Sequence, residues 1–250
     1  MLNKGSREVI SVEKVRQKTG TLGVIGGVGP LATTLFLEFI VNHTDAKGDS
    51  EHIDLVLFHI PTLADDIGSF FSGSVNADPL PRIIECIKKL EKESVAAIAI
   101  PCIILGYFYD EIVKSTNVGV IDIVEETVRH VASRNLKKVG LLASTGALKT
   151  NIFQKHLSEY NIEYVIPDEE YQNLLTKIVF EDLKAGRKAD IREYDRLCSH
   201  VMNRGSKALI LGCTDLSIIS KEHGLDPNIY IDSLSALAKA SVVRCGKNLK

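Results

Sequence analysis

The sequence predicts an α/β fold of two pseudo-symmetric lobes, each a parallel sheet flanked by helices, with the functional site in the cleft between them. Three observations carry this. Two apolar runs, Ser94-Val-Ala-Ala-Ile-Ala-Ile-Pro-Cys102 and Lys207-Ala-Leu-Ile-Leu-Gly-Cys213-Thr214, each stop at a cysteine about a hundred residues apart. Upstream, Leu22-Gly-Val-Ile-Gly-Gly-Val-Gly-Pro-Leu-Ala-Thr33 and Val139-Gly-Leu-Leu-Ala-Ser-Thr-Gly-Ala-Leu-Lys-Thr150 are both an apolar strand, a glycine-bearing turn and a helix pattern. Strand and helix patterns then alternate along both halves, as parallel strands joined by crossover helices require.

The elements follow in order. Residues 1–20 form an N-terminal extension, rich in charge from Lys4 to Lys18, and read as loosely ordered or as a short amphipathic helix. Residues 31–43 carry Leu31, Leu35, Phe36, Phe39 and Ile40 at helical spacing, and 53–59 read as the second strand. Residues 61–81, rich in Gly, Ser, Asp and Pro, read as a long connection. A helix over 81–92, with Ile83, Ile84, Ile87 and Leu90 inward, leads to a strand at 95–100. A strand at 118–122 and a helix at 123–133 follow, and this region is the expected hinge. The second half repeats the plan: strand 139–143, helix 150–160, strand 162–166, helices 170–185 and 189–204, strand 207–211, strand 229–233 and helix 234–245. The expected domains are thus 21–117 for lobe 1, joined by the C-terminal helix at about 234–250, and 118–233 for lobe 2.

Composition narrows the partners. At 250 residues and 45% hydrophobic content the chain can bury a large core. A formal net charge of −2 with no basic stripe gives no electrostatic footprint for nucleic acid or an anionic membrane, so a small molecule is the expected partner. No segment has the roughly 18 uncharged apolar residues of a spanning helix, and residues 1–20 lack a signal peptide's apolar core. A cytoplasmic location is expected. Five cysteines with no Cys-x-x-Cys pair suggest free thiols rather than a disulfide framework or a zinc ribbon.

Gly26-Gly27-Val28-Gly29-Pro30 after a strand is either an anion cradle of backbone N–H groups or only a tight turn. Ala32 stands where the dinucleotide fingerprint has its last glycine, and no P-loop lysine is present. For Cys102 and Cys213, the default is a small buried hydrophobe. Equivalent placement in two copies, each before a turn into a helix that favours thiolate, shifts the reading toward function. Cys86, Cys198 and Cys245 lie within helix patterns and read as packing residues.

At these residues the chain resembles the cofactor-independent aspartate/glutamate racemases. Ile25-Gly-Gly-Val-Gly-Pro-Leu-Ala-Thr33 is similar to I-G-G-M-G-P-x-A-T, Pro101-Cys102 to P-C-N-T, Leu141-Leu-Ala-Ser-Thr-Gly146 to L-L-A-T-x-G, and Leu211-Gly-Cys-Thr-Asp-Leu216 to L-G-C-T-E-L, with Ile231-Asp-Ser233 near the end. The resemblance implies a homodimer of two-lobed subunits, aspartate or glutamate as substrate, Cys102 and Cys213 exchanging protons with Cα, and Thr214 and Thr145 binding substrate. No cofactor and no metal are expected. Racemisation needs a base and an acid on opposite faces of a planar carbanion. Backbone groups at Val28, Gly29, Ile103, Gly146 and Thr214 would hold substrate, those nearest the carboxylate stabilising the charge that develops there.

The chain departs from that pattern at Ile103 and Ile104, where the family has Asn and Thr, at Gly106 for His, and at Leu63, where an arginine is expected to bind a carboxylate. Lys149 is either a solvated helix-start lysine or a replacement charge, and His59 either a strand-end histidine satisfied by backbone or a substrate contact. The alternatives to racemisation are isomerisation or decarboxylation of a small carboxylic acid, or a non-catalytic ligand-binding homologue.

Overall fold

The computed structural model describes residues 20–73 and 78–250, so the N-terminal extension lies outside the described residues apart from Gly20. Among them, two four-stranded sheets form. Strands β1 (Leu22–Gly26), β2 (Leu55–His59), β3 (Ala97–Ala99) and β4 (Gly119–Ile121) stand in the order β2-β1-β3-β4, and β5 (Lys138–Ala143), β6 (Glu163–Val165), β7 (Leu209–Gly212) and β8 (Tyr230–Asp232) repeat it as β6-β5-β7-β8. Every pairing is parallel. Central strands of this kind are covered on both faces and need continuous apolar sequence rather than alternation. β1 and β7 meet that demand, with every residue buried.

In each sheet the chain leaves the first strand in one direction and returns to add strands on its other side. The turning points fall between β1 and β3 and between β5 and β7, and such points open a crevice beyond the carboxyl ends of the strands. The glycine loop and Cys102 sit at the first crevice, Thr145 and Cys213 at the second. The chain therefore aims all four at the space between the lobes.

The helices are α1 (Pro30–His43), α2 (Leu63–Phe71), α3 (Leu80–Lys92), α4 (Tyr109–Lys114), α5 (Ile123–Ser133), α6 (Thr145–Lys149), α7 (Ile152–Glu159), α8 (Glu169–Thr176), α9 (Ile191–Met202), α10 (Leu216–His223) and α11 (Ser233–Arg244). The expected long connection at 61–81 holds α2. Leu63, Ile67, Phe70 and Phe71 provide an apolar stripe, with Leu63 and Ile67 buried. The helix expected over 150–160 begins earlier and breaks at Asn151, whose φ of 55° is left-handed, a conformation that asparagine tolerates.

One boundary needs correction. Residues 118–122 were assigned to lobe 2, but β4 pairs with β3 and completes the first sheet. Only there can Val120 and Ile121 bury their side chains beside β3. The following helix α5 packs on α7 of the second lobe, while α11, which follows β8, packs on α1 of the first and also on α5. Asp122, just after β4, and Asp232, the last residue of β8, cap these two helices equivalently, each accepting two backbone N–H bonds in the first turn. Gly20 N–H donates to the Cys245 carbonyl, and Thr44 bridges to Leu249, so the C-terminal segment lies against the first lobe.

Candidate active site

Cys102 is buried and stands just before a 3₁₀ turn over Ile103–Phe108, with the N–H groups of Leu105 and Ile104 directed at its sulfur. Cys213 follows β7 and is partly exposed. The two sulfurs lie near enough for each to feel the same charged pair, and Cys102 contributes to the field at Cys213. That pair is Lys184 and Asp215, with Nζ 2.7 Å from Oδ2. The Cys213 thiol donates to the same Oδ2 across 3.6 Å.

Burial pushes the Cys102 thiol up to about 11, opposed by the Lys184 charge. Burial pushes Cys213 up further, and the Asp215 carboxylate adds to the effect while Lys184 opposes it. Burial alone would lower Lys184, but Asp215 and both sulfurs outweigh it and hold the ammonium above its usual value. High values do not single out these thiols, since burial also pushes Cys245 to about 11 and Cys198 to about 12. What distinguishes Cys102 and Cys213 is the shared Lys184 cation, whereas burial dominates at Cys198 and Cys245.

The local fold explains how Lys184 arrives there. Beyond α8 the helix widens to π form over Lys177–Leu183, and Lys184 N–H donates to the Val179 carbonyl five residues back. Such widened turns occur mostly singly and often at functional sites. The Lys184 ammonium lies 5.8 Å from the centre of the Phe180 ring, within cation–π range. Sequence reasoning missed Lys184 and Asp215. Asp215 was within reach of it, two residues after a singled-out cysteine, whereas Lys184 carried no local signal.

The glycine loop closes this cluster from the first lobe. Gly29 caps α1, and a Cβ built on it would stand 2.8 Å from Asp215 Oδ1 and 3.3 Å from Lys184 Nζ. Its φ of −84° suits any residue, so space rather than backbone freedom demands glycine here. Gly29→Ala is therefore expected to lower kcat/KM by about tenfold or more through displacement of the ion pair, with little change in melting temperature. Steady-state kinetics beside a thermal melt checks this.

The remaining candidates separate. Val28 is partly exposed beside Gly29, Thr214 is buried next to Cys213, and Thr145 is exposed at the start of α6. Gln172 Nε2 reaches the Ala143 carbonyl at 3.0 Å and Thr145 Oγ1 at 3.4 Å. The Ile103 side chain is 4% exposed and belongs to the core, leaving its main chain alone to face a ligand. Ile104 is half-buried, and its Cδ1 lies 3.4 Å from where a Gly146 Cβ would be, so it bridges the lobes. Leu63 is 1% exposed within the first lobe's core. Lys149 and His59 are exposed.

Two parallel-sheet lobes of matching strand order make an α/β fold of the racemase type. The chain belongs to the Asp/Glu/Hydantoin racemase family, whose sequence pattern matches residues 25–241. It is similar to the broad specificity amino-acid racemase RacX of Bacillus subtilis (strain 168), at 25% identity over 88% of this chain and 96% of that protein. The solved Picrophilus torridus aspartate racemase superposes with a TM-score of 0.78 at 29% identity, over 92% of this chain and 96% of the other. The glutamate racemase of Francisella tularensis subsp. tularensis SCHU S4, solved with D-glutamate, shares the fold with a TM-score of 0.58 at 20% identity, over 89% and 79% of the two chains. Membership makes the protein an isomerase of the racemase type.

Proposed function

We propose that the protein racemises a free amino acid without cofactor, Cys102 and Cys213 acting as base and acid on opposite faces of Cα. The observation that carries this reading is the common placement of both sulfurs about the Lys184–Asp215 pair. Lys184 binds the substrate carboxylate and stabilises the negative charge that spreads onto it as the α-proton leaves. The Cys102 sulfur, with two N–H groups and the Lys184 charge turned toward it, is the better placed to become thiolate. Cys213, donating to Asp215, is held as the thiol that returns a proton to the other face. After one turnover the protonation states are exchanged, and the reverse reaction resets them. Val28, Gly29, Ile103, Thr145, Gly146 and Thr214 remain the proposed substrate contacts.

Incubation in heavy water tests the reaction. Deuterium is expected at Cα in both enantiomers, with no other change in substrate mass. Loss of carbon dioxide, or a product with a new connectivity, would favour the decarboxylase or isomerase alternative. Unaltered substrate that still binds would favour a non-catalytic homologue.

A pH dependence follows from the raised thiols. With Cys102 near 11, its thiolate fraction grows about tenfold per pH unit well below that value. kcat/KM is therefore expected to rise from about pH 7 to about pH 9, and to fall again only where Lys184, itself raised, loses its charge. A profile that falls across this interval would contradict Cys102 as the base.

The five free cysteines support a cytoplasmic location, and among the described residues no helix is long and apolar enough to cross a membrane. Family resemblance supports a homodimer. Light scattering on the purified chain should give twice the mass of one subunit.

A further inference from the structure

We infer that the cleft is built for amino acids with uncharged side chains and discriminates against aspartate and glutamate. The inference rests on the racemase reading and adds the substrate class.

The ion pair beside the sulfurs is one cation, Lys184, and one anion, Asp215, already neutralising each other at 2.7 Å, with the Cys213 thiol on the same carboxylate. A zwitterionic amino acid brings one carboxylate and one ammonium. Its carboxylate can take Lys184 and its ammonium Asp215, so the exchange leaves every buried charge paired. Aspartate or glutamate brings a second carboxylate, which needs a second cation or continued hydration.

Among the described residues, the positions that could offer such a cation do not: Leu63 is packed in the first lobe's core, while Lys149 and His59 are exposed. The partly exposed groups around the pair are apolar instead. Val28 adjoins Gly29, which lies against Asp215 and Lys184; Phe180 carries its ring beside the Lys184 ammonium; and Ile104 spans to Gly146. Beside Thr145, Gln172 spends its Nε2 donor on Ala143 and Thr145, and its Oε1 is buried without a donor. With its Nε2 so engaged, Gln172 offers a second carboxylate no cation.

Cα deuterium exchange with alanine, serine, asparagine, leucine, aspartate and glutamate, in both enantiomers, tests the count, alongside the thermal shift each produces. Neutral amino acids are expected to exchange with kcat/KM at least about tenfold above aspartate and glutamate, and to raise the melting temperature more. Ile104→Lys, which places a cation at the lobe bridge, should narrow that ratio toward aspartate; should this variant fail to fold, the wild-type panel decides alone. Faster exchange with aspartate or glutamate than with every neutral amino acid would overturn the inference and leave the racemase reading standing. Absence of exchange with a thermal shift from neutral amino acids would overturn the racemase reading and support the charge count. A larger shift from aspartate overturns the count, and absence of both responses overturns both.

Discussion

Cys102→Ala and Cys213→Ala are each expected to lower racemisation by about a thousandfold or more. The loss is this large because acid and base act in one transition state, so either sulfur alone leaves the carbanion unformed or unprotonated on one face. The single variants should also differ from each other. With only Cys213 present, proton removal falls to a thiol that donates to Asp215 and is raised further than Cys102. With only Cys102 present, proton removal from one enantiomer survives in part, because that sulfur keeps its N–H partners and the Lys184 charge. Wash-out of label from each separate enantiomer, read beside net racemisation, distinguishes the two. Equal and modest losses in both variants would contradict paired thiol chemistry. A protein that merely binds would keep its affinity in both.

Lys184→Met is the second large effect, and it acts on stability as well as rate. The Asp215 side chain is 5% exposed, and removing its partner leaves a buried carboxylate whose other contact is a weak thiol donor. Breaking such a pair from one side costs about 3 kcal/mol or more, a large share of the 5–15 kcal/mol of a typical domain. Activity should fall by about a hundredfold or more, since the charge developing on the substrate carboxylate loses its nearest cation. Lys184→Met combined with Asp215→Leu should recover most of the melting temperature, since both charges are then gone, yet recover none of the rate. Recovery of rate in the double variant would remove Lys184 from the proposed mechanism. Chemical denaturation of the three proteins, read together with kinetics, separates the structural cost from the chemical one.

The lobes, their parallel sheets and both cysteines were readable in the sequence for a common reason: a buried parallel strand leaves an uninterrupted apolar run, and these runs stop at Cys102 and Cys213. α2 was hidden because Asp65, Asp66, Gly68 and Ser69 face outward and dominate the composition, although Leu63, Ile67, Phe70 and Phe71 keep helical spacing. The placement of β4 depended on which neighbour it pairs with, and a three-residue strand holds no record of that. Lys184 was illegible for another reason. It stands 29 residues before Cys213 just past an apparently ordinary helix, and only the π-form widening and the tertiary packing of the second lobe bring it to Asp215 and Cys213. The side chains of Ile103 and Leu63 are the converse case, since both look like altered ligand contacts in the sequence and both pack in the interior, which leaves Ile103 only its main chain to offer.

The traded positions of α5 and α11 bear on how a guest reaches the buried thiols. Each lobe is strapped to the other by a helix that follows its own last strand, and the two straps lean on one another. A wide jaw-like swing would have to peel apolar faces from both at once. Admission is therefore expected to fall to smaller parts, and the Lys184 side chain, 31% accessible against 5% for Asp215, is the more exposed half of the pair beside the thiols.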